Sequence, residues 1–285
     1  MGTTALVTGA NRGIGFAVAR RLAVELGASG IVFVAARDLA KAEKAIADIG
    51  DIGAALQPVV LDLTDAATID AAAGLIEQAG GLDMLVQNAA FAPTQGASAA
   101  EEAPTMIAAN NTGVMHLLRA FVPLLKDNAR AIVVASGFGT LGALSGDARQ
   151  ALADETLTPL EVDSVMRTYV ERALAGAAER LGWPAWVNIP SKVGQVALTR
   201  AVAREIAANG GRERGILINA ACPGWTMTEA AAPYLKNMPD VQAQSPDEAA
   251  NDLLWLLKRP AEATGPFGEL VQHRKVIAFD GPPAG

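Results

Sequence analysis

Three glycines near the start of the chain have the spacing of a phosphate-binding turn. Gly9, Gly13 and Gly15 lie in the segment TGANRGIG, between an apolar strand-like run and a helical pattern. Glycine lets the backbone turn tightly and lets a phosphate approach closely, and the helix that follows offers free N–H groups at the positive end of its dipole. This strand–turn–helix context predicts a bound dinucleotide. The other turn residues expected beside it are Asn11, Arg12 and Ile14.

A cation at the end of the second predicted strand indicates which dinucleotide binds. Arg37 closely follows the apolar run Ile31–Ala35. In dinucleotide-binding folds an acidic residue here bonds the ribose 2′-hydroxyl of NAD, whereas a cation accommodates the 2′-phosphate of NADP. Arg12 in the turn can face the same phosphate. The two arginines therefore predict NADPH rather than NADH as the cofactor.

Short motifs follow the other predicted strands in order along the chain. They are Leu61-Asp62-Leu63, Asn88-Ala89-Ala90, Ala109-Asn110-Asn111-Thr112-Gly113, Ser136 and Cys222-Pro223-Gly224-Trp225-Thr226. Together with the TGxxxGxG spacing of the first turn, this series resembles the short-chain dehydrogenase/reductase family. The resemblance runs from residue 3 to about residue 280, and it implies an oxidoreductase that uses NAD(P).

The resemblance implies a place for each motif around the cofactor. Asp62 and Leu63 would hold the adenine, and the segment Pro223–Thr226 would lie beside the nicotinamide. The individual cofactor contacts expected from these and the remaining motifs are Asn88, Ala89, Ala90 (glycine in the family motif), Lys192, Pro223, Gly224 and Thr226.

The resemblance also implies the catalytic positions. Ser136 would hold the reacting oxygen, Lys192 the nicotinamide ribose, and Asn110 a water of the proton relay. The family carries Tyr-x-x-x-Lys on one helix, where the lysine lowers the pKa of the tyrosine and the tyrosine protonates the carbonyl oxygen as hydride arrives. In this chain the residue four positions before Lys192 is Asn188. Asn188 therefore stands where the family has its proton donor.

The amide of Asn188 changes the chemistry that such a site can perform. An amide can hydrogen-bond and polarise a carbonyl oxygen, but it is not a general acid, and the loss of a general acid typically costs ~10²–10⁴ in rate. Three interpretations remain open. The chain is an impaired carbonyl reductase, or a reductase of iminium ions or conjugated alkenes that needs no tyrosine, or a protein that binds the cofactor in a non-redox role.

Within the family, the chain is similar to the monomeric carbonyl reductases. The likeness rests on Gly182-Trp183-Pro184, on the long segment of about residues 137–187 before the active-site helix, and on Asn219–Trp225. In that group the long segment is a helical insertion, which covers the surface that other family members use for tetramer assembly. The likeness therefore implies a monomer.

Three aromatic residues are expected along the substrate cleft. Trp186 precedes the active-site helix, Trp225 follows the sixth predicted strand, and Tyr234 lies where the family has a mobile lid. An aromatic wall suits a small-molecule substrate that is bulky or hydrophobic.

The elements that must position these residues alternate between strands and helices. Strands are predicted at Thr4–Thr8, Ile31–Ala35, Val59–Leu63, Leu82–Gln87, Ala131–Ala135, Ile216–Ala220 and Leu270–Ala278. Helices are predicted at Gly13–Gly27, Asp38–Ile49 and Glu161–Arg180, with Asp38 as the N-cap of the second. A further, amphipathic helix is predicted to follow Lys192. Strands this apolar are buried on both faces. The expected fold is one Rossmann-like α/β domain over residues 1–285, a doubly wound parallel sheet of about seven strands with helices on both faces.

Charge and composition limit the partners and the compartment. The net charge is -7 and the 23 Lys and Arg residues form no basic stripe, which argues against nucleic acids and anionic membranes. No apolar run reaches the ~18 residues of a membrane span, and the start of the chain lacks the basic region of a signal peptide. A single cysteine, Cys222, excludes an internal disulfide, and two distant histidines suggest no metal site. A cytoplasmic setting is expected.

Overall fold

The computed structural model describes residues 2–283. They form one eight-stranded sheet in the order β3-β2-β1-β4-β5-β6-β7-β8. The strands are β1 (Thr4–Thr8), β2 (Ile31–Ala36), β3 (Ala55–Val60), β4 (Leu82–Gln87), β5 (Leu125–Val134), β6 (Leu217–Cys222), β7 (Leu270–Gln272) and β8 (Lys275–Ile277). The helices are α1 (Gly13–Leu26), α2 (Leu39–Ile49), α3 (Ala66–Gln78), α4 (Ala99–Ile107), α5 (Val114–Phe121), α6 (Gly146–Ala153), α7 (Pro159–Leu174), α8 (Asn188–Ala208), α9 (Ala232–Leu235) and α10 (Pro246–Leu257).

The sheet is covered by helices on both faces because its central strands are apolar on both sides. In β1, Leu6 packs into one core cluster while Ala5 and Val7 pack into the other, as expected for side chains that alternate along a strand. Helices α3, α4, α5, α7 and α8 close the first cluster, and α1, α2 and α10 close the second. The prediction of a doubly wound α/β fold is therefore confirmed.

The end of the sheet departs from the prediction of a parallel sheet of about seven strands. The run Leu270–Ala278 forms two short antiparallel strands, with Gln272 opposite Lys275. The connecting residues His273 and Arg274 both have positive φ, at 47° and 63°. Two-residue hairpin turns of this kind favour Asn-Gly or Asp-Gly. Without that signal, the sequence reads as one continuous strand.

The third strand was also predicted wrongly, at Val59–Leu63. It lies at Ala55–Val60, on the edge of the sheet, and most of its side chains are exposed. Pro58 is tolerated there because an edge strand can leave one backbone position without a donor. Leu61 and Leu63 are buried in the core from the loop after the strand. Their burial extends the apolar pattern beyond the end of the strand.

Other predicted boundaries shift by smaller amounts. Strand β5 begins before the predicted Ala131, and β6 runs two residues past the predicted Ala220. Helix α2 has the predicted N-cap, since Asp38 accepts a hydrogen bond from Lys41 N. The helix predicted at Glu161–Arg180 ends at Leu174, because Gly176 has a φ of 63°.

Helix α8 is buried on most of its circumference, so the prediction of an amphipathic helix here is wrong. Strands β5 and β6 lie against one side of it, and α7 packs against another. Its buried residues are Pro190, Ser191, Val193, Gly194, Gln195, Val196, Ala197, Leu198, Thr199, Ala201, Val202, Ala203 and Ile206. The helix that carries the candidate catalytic residues is consequently held from several directions.

A π-helical turn at Ala108–Gly113 joins α7 and α8 through polar contacts. Thr112 Oγ1 donates to Asp163 Oδ1 at 2.6 Å, and Asp163 is only 3% exposed. Asn111 Nδ2 donates to the Ser191 carbonyl oxygen at 3.0 Å. The turn therefore holds the first turn of α8 in place through the Ser191 carbonyl oxygen.

Within the part of the chain that the structure describes, none of the helices combines the length and the apolarity needed to span a bilayer.

Replacing Thr112 with valine should lower the free energy of unfolding by about 1.5–3 kcal/mol, because a buried carboxylate loses a hydrogen-bond donor. The matched control is Thr156→Val, which removes a hydroxyl bond to the exposed Asp154 at 2.7 Å and should cost no more than about 0.5 kcal/mol. Chemical denaturation measures both. Equal losses in the two variants would contradict the bridging role of Thr112.

Candidate active site

A cavity of about 200 Å³ opens at the carboxyl ends of the central strands. Strand β1 has β2 on one side and β4 on the other, so the direction in which the chain builds the sheet reverses between β1 and β4. Ligands of open α/β sheets bind at such a reversal. The predicted residues that line this cavity are Ile14, Ser136, Trp186, Asn188, Lys192, Pro223, Gly224, Trp225, Thr226 and Tyr234.

The glycine turn has the shape that a pyrophosphate requires. Gly9 and Gly13 have φ values of 62° and 57°, a region that other residues rarely adopt. A Cβ on Gly15 would lie 2.4 Å from the Gly9 carbonyl oxygen. Helix α1 begins without a side-chain cap and without an acidic residue in its first turn. Its first N–H groups therefore remain available for an anion, and the turn fits the phosphates of a dinucleotide.

Asn88 and Ala89 brace this turn from strand β4. Asn88 Nδ2 donates to the Thr8 carbonyl oxygen at 2.9 Å and to that of Gly9 at 3.3 Å. The backbone N–H groups of Asn88 and Ala89 both donate to Thr8 Oγ1 at 3.0 Å. The motif thus holds the ends of β1 and β4 together beneath the expected cofactor. Ala90 follows, and its methyl group can contribute packing only.

The remaining predicted cofactor residues lie outside the cavity, at the ends of the outer strands. Arg37 follows β2, is exposed, and has no hydrogen-bond or ion-pair partner within residues 2–283. Asp62 and Leu63 follow β3, and Asp62 Oδ1 accepts from Thr64 N at 2.9 Å. Arg12 instead forms an exposed ion pair with Glu229. Arg37 is therefore the cation at the end of β2 whose side chain is available to bind a phosphate.

Ser136, Asn188 and Lys192 meet in the cavity. Ser136 follows β5, and its Oγ accepts a hydrogen bond from Phe138 N at 3.3 Å. Asn188 is the first residue of α8, and its half-buried side chain has no hydrogen-bond partner within residues 2–283. Its amide is therefore available to a ligand in the cavity that Ser136 also lines.

Lys192 is held from within the protein. Its Nζ donates to Gln195 Oε1 at 2.8 Å and to the Val134 carbonyl oxygen at 3.4 Å. Burial disfavours the charged ammonium and lowers the pKa of Lys192 to about 8, while the neighbouring thiol of Cys222 acts in the opposite direction. The group can gain and lose a proton near neutral pH.

Asn110 lies behind the cavity rather than in its lining. It is fully buried in the π-helical turn, and its Oδ1 accepts from Phe91 N at 2.7 Å. Its Nδ2 donates to the Phe91 carbonyl oxygen at 3.1 Å and to Ser191 Oγ at 3.2 Å. The side chain is thus committed to joining the loop after β4 to helix α8.

Four aromatic side chains form a wall at the mouth of the cavity. The rings of Phe138 and Trp186 have centroids 5.7 Å apart, those of Phe138 and Trp225 6.4 Å, and those of Trp186 and Tyr234 5.4 Å. Tyr234 Oη donates to the Pro93 carbonyl oxygen at 3.1 Å, and burial raises the pKa of this tyrosine. The wall includes all three aromatic residues predicted to contact substrate.

Sequence reasoning missed several residues of the site. Gln195 lies three positions after Lys192 on the same helix, a spacing that brings two side chains together and that could have identified it. Phe138 lies two residues after Ser136 and carried no comparable signal. Cys222 was noted only as the first residue of its motif and as the single cysteine. It lines the cavity, and its Sγ accepts a hydrogen bond from Gly137 N at 2.9 Å. Among residues 2–283 there is no cluster of three His, Cys, Asp or Glu side chains that could hold a metal ion.

Comparisons with known proteins show the family and the fold of this chain. The family model described as short chain dehydrogenase matches residues 3–148. Carbonyl reductase (NADPH) 1 of Sus scrofa is 33% identical over 98% of this chain and 95% of its own length, and that of Bos taurus is 32% identical over 96% and 98%. Two solved structures share the fold. Salutaridine reductase from Papaver somniferum has a TM-score of 0.79 and 24% identity, and the match covers 94% of this chain and 99% of that one. Menthone neomenthol reductase from Mentha piperita has a TM-score of 0.75 and 23% identity, and the match covers 96% of this chain and 100% of that one. The chain belongs to the short-chain dehydrogenase family.

Proposed function

We propose that this chain is an NADPH-dependent oxidoreductase that reduces carbonyl compounds without a tyrosine acid. The observation that carries the proposal is the cavity in which Ser136, Asn188 and Lys192 meet, next to a glycine turn that fits a pyrophosphate. The similarity over nearly the full chain to carbonyl reductases (NADPH) supports the same reaction class.

Bound NADPH supplies the hydride in this proposal, and the chain supplies its binding site. Arg37 is exposed at the end of β2 and has no partner among the described residues, which supports recognition of the 2′-phosphate. Lys192 would contact the nicotinamide ribose. The residues proposed to bind NADPH are Gly9, Asn11, Arg12, Gly13, Ile14, Gly15, Arg37, Asp62, Leu63, Asn88, Ala89, Ala90, Lys192, Pro223, Gly224 and Thr226.

The proposed role of Ser136 and Asn188 is to hold the carbonyl oxygen. A hydroxyl and an amide N–H donate two hydrogen bonds to an oxygen on which negative charge develops, and one such donor is typically worth ~10²–10³ in rate. Asn188 polarises the carbonyl in this arrangement but retains its protons. The reduction of ketones is consequently slower than in a relative with tyrosine at this position. In this proposal Asn110 acts only indirectly, by holding α8.

The aromatic wall supports a bulky and hydrophobic substrate. It also favours a second candidate function, the reduction of iminium ions. Faces of aromatic rings attract cations, and an iminium ion that accepts hydride becomes a neutral amine without taking up a proton. An enzyme that binds its imine substrate as the iminium ion would therefore have no need of the missing tyrosine.

We further propose that residues 1–285 form a single domain and act as a cytoplasmic monomer. Helix α7 packs against α4 and α8, which supports the view that the insertion of about residues 137–187 covers the surface that tetrameric relatives use for assembly. Size-exclusion chromatography with light scattering tests the monomer.

A titration with NADPH, followed by a panel of ketones, cyclic imines and conjugated enones, tests the proposed function. Oxidation of NADPH with the ketones supports carbonyl reduction, and oxidation only with imines supports the second candidate. Tight binding without turnover on any of them would instead support a non-redox role.

Gly15→Ala should weaken the binding of NADPH at least about tenfold, because the new Cβ would push the start of α1 away from Gly9 and Asn88. Gly74→Ala in α3 is the matched control, since a Cβ there meets nothing within 4 Å. Fluorescence titration measures both affinities. Unchanged binding in Gly15→Ala would contradict the placement of the pyrophosphate.

Arg37→Ala should raise the KM for NADPH by roughly ten- to a hundredfold and leave the KM for NADH unchanged, because a charge-assisted bond to the 2′-phosphate is worth about 1.5–3 kcal/mol. Arg119→Ala, in α5, removes an equally exposed cation far from the turn and serves as the control. Initial rates with both cofactors decide the outcome; a preference of the unaltered protein for NADH would overturn the NADPH assignment.

Asn188→Tyr should raise kcat for ketone reduction toward the ~10²–10⁴ that a general acid contributes. Asn188→Phe is the matched control, because it adds the same ring without the hydroxyl. Single-turnover rates measure the gain. If the tyrosine variant is no faster than the phenylalanine variant, Asn188 is not a lost acid and the imine or alkene chemistry is favoured.

A further inference from the structure

Lys192 and Gln195 form a polar pair on the inner side of α8. Gln195 is 0% exposed, and its Oε1 accepts the short bond from Lys192 Nζ. Its Nε2 is buried with no hydrogen-bond partner within residues 2–283. A buried polar group without a partner costs about 1–3 kcal/mol. An apolar residue at this position would avoid that cost, so the presence of glutamine points to a role toward Lys192.

Three side chains that line the cavity carry ionisable protons: Lys192, Cys222 and Tyr234. Tyr234 Oη already donates a hydrogen bond to the Pro93 carbonyl oxygen, and burial raises the pKa of this hydroxyl. Burial also raises the pKa of the Cys222 thiol. Both are therefore poorer acids than usual, whereas the ammonium of Lys192 is a stronger acid than usual.

Titratable groups on the elements that pack against α8 do not replace Gln195. Strand β6 contributes the thiol of Cys222, which acts to raise the pKa of Lys192. Helix α7 contributes the buried Asp163 and Tyr169, and α4 contributes the buried Glu102. None of these bonds to Lys192: Asp163 binds Thr112 and Arg167, and Glu102 binds Thr94. Within residues 2–283 the side chain that fixes the ammonium is thus that of Gln195.

We propose that Gln195 is a positioning residue that fixes Lys192 as the proton source for carbonyl reduction, the task that Asn188 cannot perform. The inference rests on the proposed function. As hydride forms a C–H bond at the carbonyl carbon, the C=O π bond breaks and its electron pair moves to oxygen. That oxygen forms an O–H bond with a proton that leaves Lys192 Nζ, and the neutral amine then takes a proton from water. NADPH is the reductant and becomes NADP⁺.

The pH dependence follows from the sign of this transfer. Lys192 must be protonated to donate, so kcat is retained below its pKa of about 8 and falls by about tenfold per pH unit above it. Gln195→Glu places a carboxylate against the ammonium, which raises the pKa of Lys192 and moves the fall to higher pH by about one unit or more. Gln195→Met removes the acceptor while keeping the volume, and it moves the fall to lower pH.

The experiment combines two titrations of the full-length protein. Lysine labelled with ¹³C at Cε reports the pKa of Lys192 by NMR without turnover, with Lys192→Arg used to assign the signal. The kcat for a ketone and NADPH is then measured from pH 6 to 10. Thr199→Val is the matched control, because Thr199 is buried on the same helix and donates to the Gln195 carbonyl oxygen at 2.8 Å; it should move neither titration.

The proposal is supported if the NMR pKa and the fall in kcat move together, upward in Gln195→Glu and downward in Gln195→Met. A kcat profile that both variants leave unmoved, in a protein that does reduce ketones, would overturn the role of Lys192 alone. A protein that binds NADPH but reduces no carbonyl compound would overturn the proposed function, and the donor role with it. Should the buried glutamate prevent folding, Gln195→Met alone still decides the direction of the shift.

Discussion

The close approach of α1 to the end of β1 is the constraint on which the rest of the site depends. Gly15 lies so near the Gly9 carbonyl oxygen that no side chain fits between them. Asn88 closes the same gap from β4 through its amide. This contact holds the ends of β1 and β4 together. Because β1, β4, β5 and β6 are parallel, the phosphate turn and the residues after β5 and β6 lie at the same edge of the sheet. The cavity lies at that edge, next to the point where the strand order switches.

The second organising feature lies behind the active-site helix. The π-helical turn contributes Asn110, Asn111 and Thr112, whose side chains reach the start of α8, the loop after β4 and helix α7. An extra residue in a helical turn is a strained arrangement that often occurs at functional sites. Here it points three consecutive polar side chains toward different elements. The result is a helix α8 whose first turn cannot shift without breaking buried hydrogen bonds.

Particular residues explain how far the sequence predicts this structure. Strands β1 and β4 were predicted at their observed bounds because they are short, apolar and flanked by clear turns. The motif residues after the strands could be gathered into one site because the carboxyl ends of parallel strands lie at one edge. The turn at His273 and Arg274 could not be foreseen, since neither residue is typical of positive φ there. Gln195 has the i+3 spacing from Lys192 that brings two side chains together, but the sequence does not show that this face of α8 is buried. The Arg12–Glu229 pair depends on how a distant loop folds back.

The loop that carries Glu229 and Tyr234 contacts the rest of the protein at two places. Glu229 pairs with Arg12 over the phosphate turn, and Tyr234 bonds to Pro93 over the aromatic wall. The two contacts are only five residues apart and are joined by the start of the short helix α9. Because the segment is short, the positions of Glu229 and Tyr234 depend on each other. One short segment of chain therefore borders both the nucleotide side and the substrate side of the cavity, through the ion pair of Glu229 and the hydrogen bond of Tyr234.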